Sequence, residues 1–464
     1  MRSEAETALA DLWRLGGGQP EALERAELPD EGPYLASAFK VDLAAQASIA
    51  AATLAAAELW RLRSGEAAAV SVARRHATAE FLSERYLRVD AGEAAELWDR
   101  IAGAYRCGDG RWVRLHSNFP HHRDGLLALL GCAYSREAVA EALMGWEGEA
   151  FEEAAAAKGL CVALLRPAQD WDAHPQGQAV AALPLLSIER IGAAPPEPLP
   201  PATRPLAGLR VLDLTRILAG PVAGRCLAAQ GAEVLRVSAP HLPFILPAVI
   251  DTGRGKRACS LDLRTEEGRE GLSALLREAD VFLQAYRPGG LDALGFGPEA
   301  VAALRPGIVY ATLSAYGPTG PWSGRRGFDS LVQTASGFNR AEAEAFGEAG
   351  PRALPCQALD HASGYLLAFG ILRALAKRAE EGGSWRVRVT LAATGQWLRG
   401  LGQRSEIEAP ALDRAEIADL LEESDSPFGR LSALRHAGRI EGHPSAWQAP
   451  AVPLGSHPPR WRST

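Results

Sequence analysis

From residue 209 onward the sequence alternates short apolar runs with helical patterns, and this alternation leaves the chain few architectures to choose from. LRVLDL (209–214) has the length and composition of a buried strand. Gly220-Pro221 then open a helix reaching about Ala229, where a proline near the first turn sacrifices no hydrogen bond. AEVLRV (232–237) is the next strand. TEEGREGLSALLREA, from Thr265, places acids early and spaces its apolar residues as a helix does. ADVFLQAY (279–286) and IVYATLSAY (308–316) supply two further strands. Strands that alternate with crossover helices pair in parallel and form a doubly wound sheet.

The expected class is therefore α/β: a doubly wound, Rossmann-like parallel sheet, accompanied by a smaller α+β domain. A proline-crowded segment, AAPPEPLPPATRPL at 193–206, reads as an extended, exposed linker. It divides residues 1–192 from a domain at 207–402, and a polar, acidic break near 403–427 opens a C-terminal tail segment, 403–464. The glycines after the first strand, in DLTRILAGPVAG, do not form GxGxxG, and no P-loop occurs, so a dinucleotide or nucleoside-triphosphate site is unsupported.

Residues 42–72 and 360–390 form an internal repeat. Each begins with an aspartate (Asp42, Asp360), continues as an Ala/Leu-rich helix with a glycine-containing turn, and ends in a V-x-V strand. We read a partial duplication whose first copy lacks the leading strands. Residues 103–116 (GAYRCGDGRWVRLH) have the pattern of a hairpin, followed by a helical stretch at 123–160.

Composition narrows the function classes. Hydrophobic residues make up 47% and charged residues 23%, as in globular domains, and the net charge of -7 with no dense basic run argues against nucleic acid. The six cysteines show no CxxC pair and no zinc-ligand spacing with histidine, so free thiols in a reducing, cytoplasmic setting are expected and no metal. The N-terminus has acids early and no secretory pattern, and the segment Leu43 to Leu62, the nearest to a membrane span, is interrupted by Gln46, Glu58 and Arg61. No membrane partner is expected. His121 and His122, in NFPHHRDG, read as a surface pair with no third ligand.

Asp360 precedes the long helix at 361–380. Aspartate is a preferred helix cap, because its carboxylate accepts unpaired backbone N–H groups. The same position orients an ionised carboxylate that can attack a thioester, with Gly364 and nearby backbone N–H groups to hold an oxyanion. Physical chemistry alone leaves both readings open. Asp42 reads as a cap, and His361 as an improbable base, since direct carboxylate attack requires none.

Seven blocks taken in order, VLDLTRILAGP (211–221), GAEVLRV (231–237), GRGKRACSLDLRTEEGRE (253–270), ADVFLQAYRPGGLDALGF (279–296), IVYATLSAYGPTGP (308–321), RRGFDSLVQTASG (325–337) and LDHASG (359–364), resemble the family III CoA-transferases, with the formyl-CoA and carnitine-CoA transferases and the alpha-methylacyl-CoA racemases among them. The resemblance covers about 207–400. The segments 42–76, 103–185 (including DAHPQGQAVA) and 449–461 (APAVPLGSHPPRW) resemble later parts of the same family, so the order is rearranged. It implies an enzyme that moves coenzyme A from an acyl-CoA to a carboxylic acid, with Asp360 as the nucleophile that becomes an aspartyl-CoA thioester. It implies CoA contacts at Ile217, Leu261, Arg264 and Arg326. Two arginines common in relatives are absent here, near Ala239 and at Ala293, and Arg254, Lys256, Arg257 and Arg287 are the candidates to replace them; otherwise these are a solvated basic surface. Coenzyme A is then a substrate, and an interlocked homodimer is the expected assembly. Racemases place a proton-transferring histidine where this chain has Phe328, which disfavours racemisation. A CoA-thioester binder without catalysis is the alternative of another class.

Overall fold

A computed structural model describes residues 2–29, 32–93, 96–410 and 412–462. Its centre is a seven-stranded sheet. In chain order the strands are β1 (Leu186–Gly192), β2 (Arg210–Leu214), β3 (Glu233–Ser238), β4 (Lys256–Ser260), β5 (Val281–Gln284), β6 (Val309–Ser314) and β7 (Ser384–Thr390). Their spatial order is β4-β3-β2-β5-β6-β7-β1. All pairs are parallel except β7–β1, where Val387 faces Ile188 in antiparallel register.

The period of two along each strand sorts side chains into two cores. Val211, Val234, Val281, Leu283, Val309 and Ala311 face one layer. Leu212, Leu214, Leu235, Val237, Phe282 and Tyr310 face the other. Helix α1 (Val41–Ser64), α2 (Ala219–Ala229) and α5 (Ala358–Glu381) belong to the first layer, α1 and α2 each packing on α5. Helix α3 (Glu266–Leu276) covers the second. A doubly wound sheet is the result, as the alternation predicts.

Two edges follow a logic invisible in the alternation. Strand β4, KRACS, is polar in sequence and was not recognised as a strand. It is protected because the tail lies along it: His457 N–H donates to Ala258 O at 2.8 Å, and Trp461 Nε1 donates to Leu275 O at 3.1 Å. The opposite edge is closed by β1, which lies before the proline-rich segment. That segment has no regular structure and is largely exposed, but Leu199 and Leu206 anchor it in the core.

Hairpin strands Gly103–Arg106 and Trp112–Leu115 pair as the sequence suggests, and Val162–Leu164 adds a third strand. With the helices Pro120–Leu130, Arg136–Leu143 and Gly148–Ala157 they enclose a separate apolar core around Val113, Leu126 and Phe151. This is the smaller α+β unit. Helix α1 is the one helix among the described residues long and apolar enough to cross a membrane by composition, yet its apolar window is wholly buried inside the protein. All six cysteines are free thiols.

Candidate active site

In the sheet, β2 and β5 are neighbours whose onward connections run in opposite directions, and such a switch point leaves a crevice at the carboxyl ends of the strands. The turn after β2 presents Arg216, Ile217 and Leu218; the turn after β5 presents Tyr286 and Arg287; β6 ends at Ser314. With Arg325, Arg326 and Phe328, and with Phe119, His121 and His122 from the smaller unit, they line a cleft of about 370 Å³. Asp360 stands in this cleft.

The cleft is cationic with little internal neutralisation. Arg325 pairs with Glu153 at 2.7 Å, but Arg216, Arg287 and Arg326 have no carboxylate partner among the described residues. Guanidinium groups left open in a crevice suit a polyanion, since each offers a planar fork of donors to phosphate oxygens. Ile217 occupies the left-handed backbone region, φ 72°, which a β-branched residue adopts only at a cost. Ile217 lines the cleft together with Asp360.

Asp360 is not a cap, contrary to the reading from its position. Gln357 is the residue before the helix, without a side-chain capping bond, and Asp360 lies inside the first turn of α5. Capping comes from elsewhere: Asp329, at the start of α4 (Asp329–Ala335), accepts the Asp360 backbone N–H at Oδ2, 2.9 Å. Gln333 donates to the other Asp329 oxygen. Asp360 thus keeps its own carboxylate free, with no hydrogen-bond partner among the described residues.

The expectation of an easily ionised Asp360 is also corrected. Burial raises its pKa well above the usual carboxylate range, and the Asp329 and Glu84 carboxylates raise it further. Asp329 is itself raised by burial. Glu84 belongs to the segment before the linker and meets His361 Nε2 at 3.1 Å. Two acids crowding a third make Asp360 a high-energy anion, hence a reactive one once ionised.

The other predicted residues divide. Ile217, Arg287 and Arg326 line the cleft with Asp360. Leu261 does not: it packs on the second core beside Gly271. Arg264 is exposed and clasps Asp262 at 2.6 Å, outside the cleft lining. Lys256 is fully buried, 2.8 Å from Asp213 Oδ2 and 2.8 Å from Pro221 O, with burial pressing its pKa down to about 8. Arg257 pairs with Glu233 at 3.0 Å and donates to Arg460 O. Arg254 is buried on Asp251 and over the Trp447 ring. These three charges hold the fold together and are removed from the binding candidates. Gly364 is likewise no oxyanion site: a Cβ there would sit 2.5 Å from Ala219 O, so the glycine exists to let α2 approach α5.

Sequence inspection missed Arg216, Asp329 and the histidines of the smaller unit. Arg216 was within reach, since it follows the strand at the switch point. Of the histidine pair, His121 is exposed as its context suggests, but His122 is buried, near Cys161 Sγ at 3.7 Å, with its pKa pressed down to about 3, chiefly by burial. No local pattern links them to Asp360.

The fold and the site define a doubly wound α/β protein with a phosphate-suited cleft and a free carboxylate at the switch point. Residues 206–402 match the family model described as "CoA-transferase family III". It is 37% identical over 201 residues to the "Probable fatty acyl-CoA transferase Rv3272" of Mycobacterium tuberculosis, covering 40% of this chain and 50% of that protein. It is 32% identical over 330 residues to an "Acyl-CoA transferase" of Gibberella moniliformis, covering 66% of this chain and 57% of the relative. The chain therefore spans about half the length of these relatives. A solved structure of Rv3272, orthorhombic form, is 36% identical with a TM-score of 0.39, covering 43% of this chain and 59% of that one.

Proposed function

We propose that the chain is a CoA-transferase that moves coenzyme A from an acyl-CoA to a carboxylic acid through an aspartyl-CoA thioester on Asp360. The observation that carries this reading is the meeting, in one cleft, of a hydrogen-bond-free carboxylate with three guanidinium groups that lack carboxylate partners. Arg216, Arg287 and Arg326 would take the phosphates of coenzyme A, and Ile217 would pack on the carrier.

Asp360 attacks the donor thioester carbonyl; the C–S bond breaks and the CoA thiolate leaves, giving a mixed anhydride. The thiolate attacks the Asp360 acyl carbon and expels the donor acid. The acceptor carboxylate then attacks the aspartyl thioester, and the returning thiolate takes the acceptor acyl group, regenerating Asp360. Phe328 has no proton to give at the position where racemases place histidine, which supports transfer over racemisation.

Incubation with acyl-CoA followed by hydroxylamine is expected to mark Asp360 alone. A panel of acyl-CoA donors that leaves no mark on Asp360 would favour a binder without turnover.

A further inference from the structure

Asp360 borders a second, smaller cavity of about 70 Å³. Ile217, Leu218, Phe328 and Asp360 line both spaces and form the partition between them. The arginines of the large cleft do not reach the small one. Its walls are mostly apolar, with Leu97, Trp98, Ile245 and Ala248.

Residues on its walls carry buried polar atoms that lack partners. His116 Nδ1 and Nε2, Ser330 Oγ and Gln357 Oε1 are buried without a hydrogen-bond partner among the described residues. His116 is 4% exposed and Ser330 3%. The imidazole is fixed by stacking on Phe328, ring centroids 3.7 Å apart. Burial, with His122 and Arg114 nearby, keeps it neutral, its pKa pressed down to about 3, so it offers one donor and one acceptor. Buried polar atoms are normally paired, and four unpaired ones around one cavity indicate a polar group that arrives with the ligand.

The charges around the cavity restrict that group. Glu84 and Asp329 both face it, with Arg85 as the one cation, 45% exposed at its side chain and 3.8 Å from Glu84. A second carboxylate on the substrate would meet two acids here. A hydroxyl matches instead, donating to Gln357 Oε1 or the imidazole and accepting from Ser330 or the imidazole N–H.

We propose that this cavity seats the acyl chain transferred at Asp360, and that the acid is a short hydroxy acid whose hydroxyl is bound by His116, Ser330 and Gln357. The inference rests on the transfer reading above. It also gives residues before the linker, Trp98 and His116 among them, a share in substrate choice.

The test uses the full chain with acetate as acceptor and matched donors: 3-hydroxybutyryl-CoA against butyryl-CoA, lactyl-CoA against propionyl-CoA, and succinyl-CoA as the charged case. At least one hydroxyacyl donor should exceed its deoxy partner and succinyl-CoA by about tenfold or more in kcat/KM, because a site built for a hydroxyl leaves its own groups unpaired with the analogue. In Ser330→Ala and in His116→Phe, which keeps the stack on Phe328, that ratio should fall toward one. Ratios within twofold for the unaltered chain, a ratio that survives both substitutions, or a preference for succinyl-CoA overturns the proposal while leaving Asp360 as nucleophile. Absence of transfer from every donor, with no Asp360 adduct, overturns both.

Discussion

Helices α1 and α5 are alike in layout and different in surroundings. Each has 24 residues, each carries an aspartate in its first turn, and they pack against each other. Asp42 is 1% exposed, accepts the Leu43 N–H at 2.8 Å and is ion-paired with Arg404. It is not the cap that its sequence position suggested either, since Lys40 precedes the helix. Asp360 opens on a cleft, has no ion-pair partner among the described residues and has two acids near it. An aspartate in the first turn is ion-paired in one helix and left without a partner among the described residues in the other. Neighbouring charge and access make the difference, not helix position.

The largest way to sharpen this contrast is to delete each aspartate. Asp360→Ala should lower CoA transfer by at least ~10³-fold and remove the hydroxylamine-trapped adduct, as loss of a covalent nucleophile does. Asp42→Ala should leave the adduct on Asp360 intact but cost about 3 kcal/mol in urea denaturation, because Arg404 loses its buried partner. Comparable loss of transfer in both variants would erase the distinction between the helices.

Position 364 gives the next effect. Gly364→Ala drives a methyl to within 2.5 Å of Ala219 O and 2.8 Å of Val222, and should destabilise by about 2 kcal/mol by the same assay. The matching residue on α1 is Gln46, whose side chain donates to Pro29 O and Val72 O at 2.9 Å, so that copy has room where α5 has none.

The smallest effects concern protons. Asp360 has a folded pKa above its unfolded one, so the native state holds the proton more tightly. Its stabilising contribution is present below the ordinary carboxyl range, about 4, and is lost as pH rises through the folded value. Asp360→Asn, permanently neutral, should therefore melt higher than the unaltered chain at pH 7 while transferring nothing. Asp329→Asn retains an oxygen for the Asp360 N–H but removes a negative neighbour. The acid limb of its kcat/KM profile should move to lower pH. A limb that stays in place would show that Asp329 does not act on the ionisation of Asp360.

The repeat in the sequence disclosed the paired helices, and the ordered blocks disclosed Asp360, because both are patterns written in consecutive residues. Five strands of the sheet, β2, β3, β5, β6 and β7, were legible for the same reason: short, mostly apolar runs of Val, Leu and Ile between helical patterns have few places to go but a buried strand. Strands β1 and β4 were not: KRACS is polar in sequence, and its pairing with β3 and its cover by the tail at 449–461 come from segments far from it in the chain. Among the cations the sequence could list the arginines and Lys256 but not sort them; burial against Asp213 and Glu233 fixed Lys256 and Arg257 in the fold, while the turns after β2 and β5 left Arg216 and Arg287 open. Sequence by itself determined the α/β class, the alternation and the residue to watch. The tertiary structure alone decided which aspartate is reachable, which charges are spent and what surrounds Asp360. Those properties depend on contacts such as Asp329 with Asp360 and Glu84 with His361, 31 and 277 residues apart, and no local pattern encodes them.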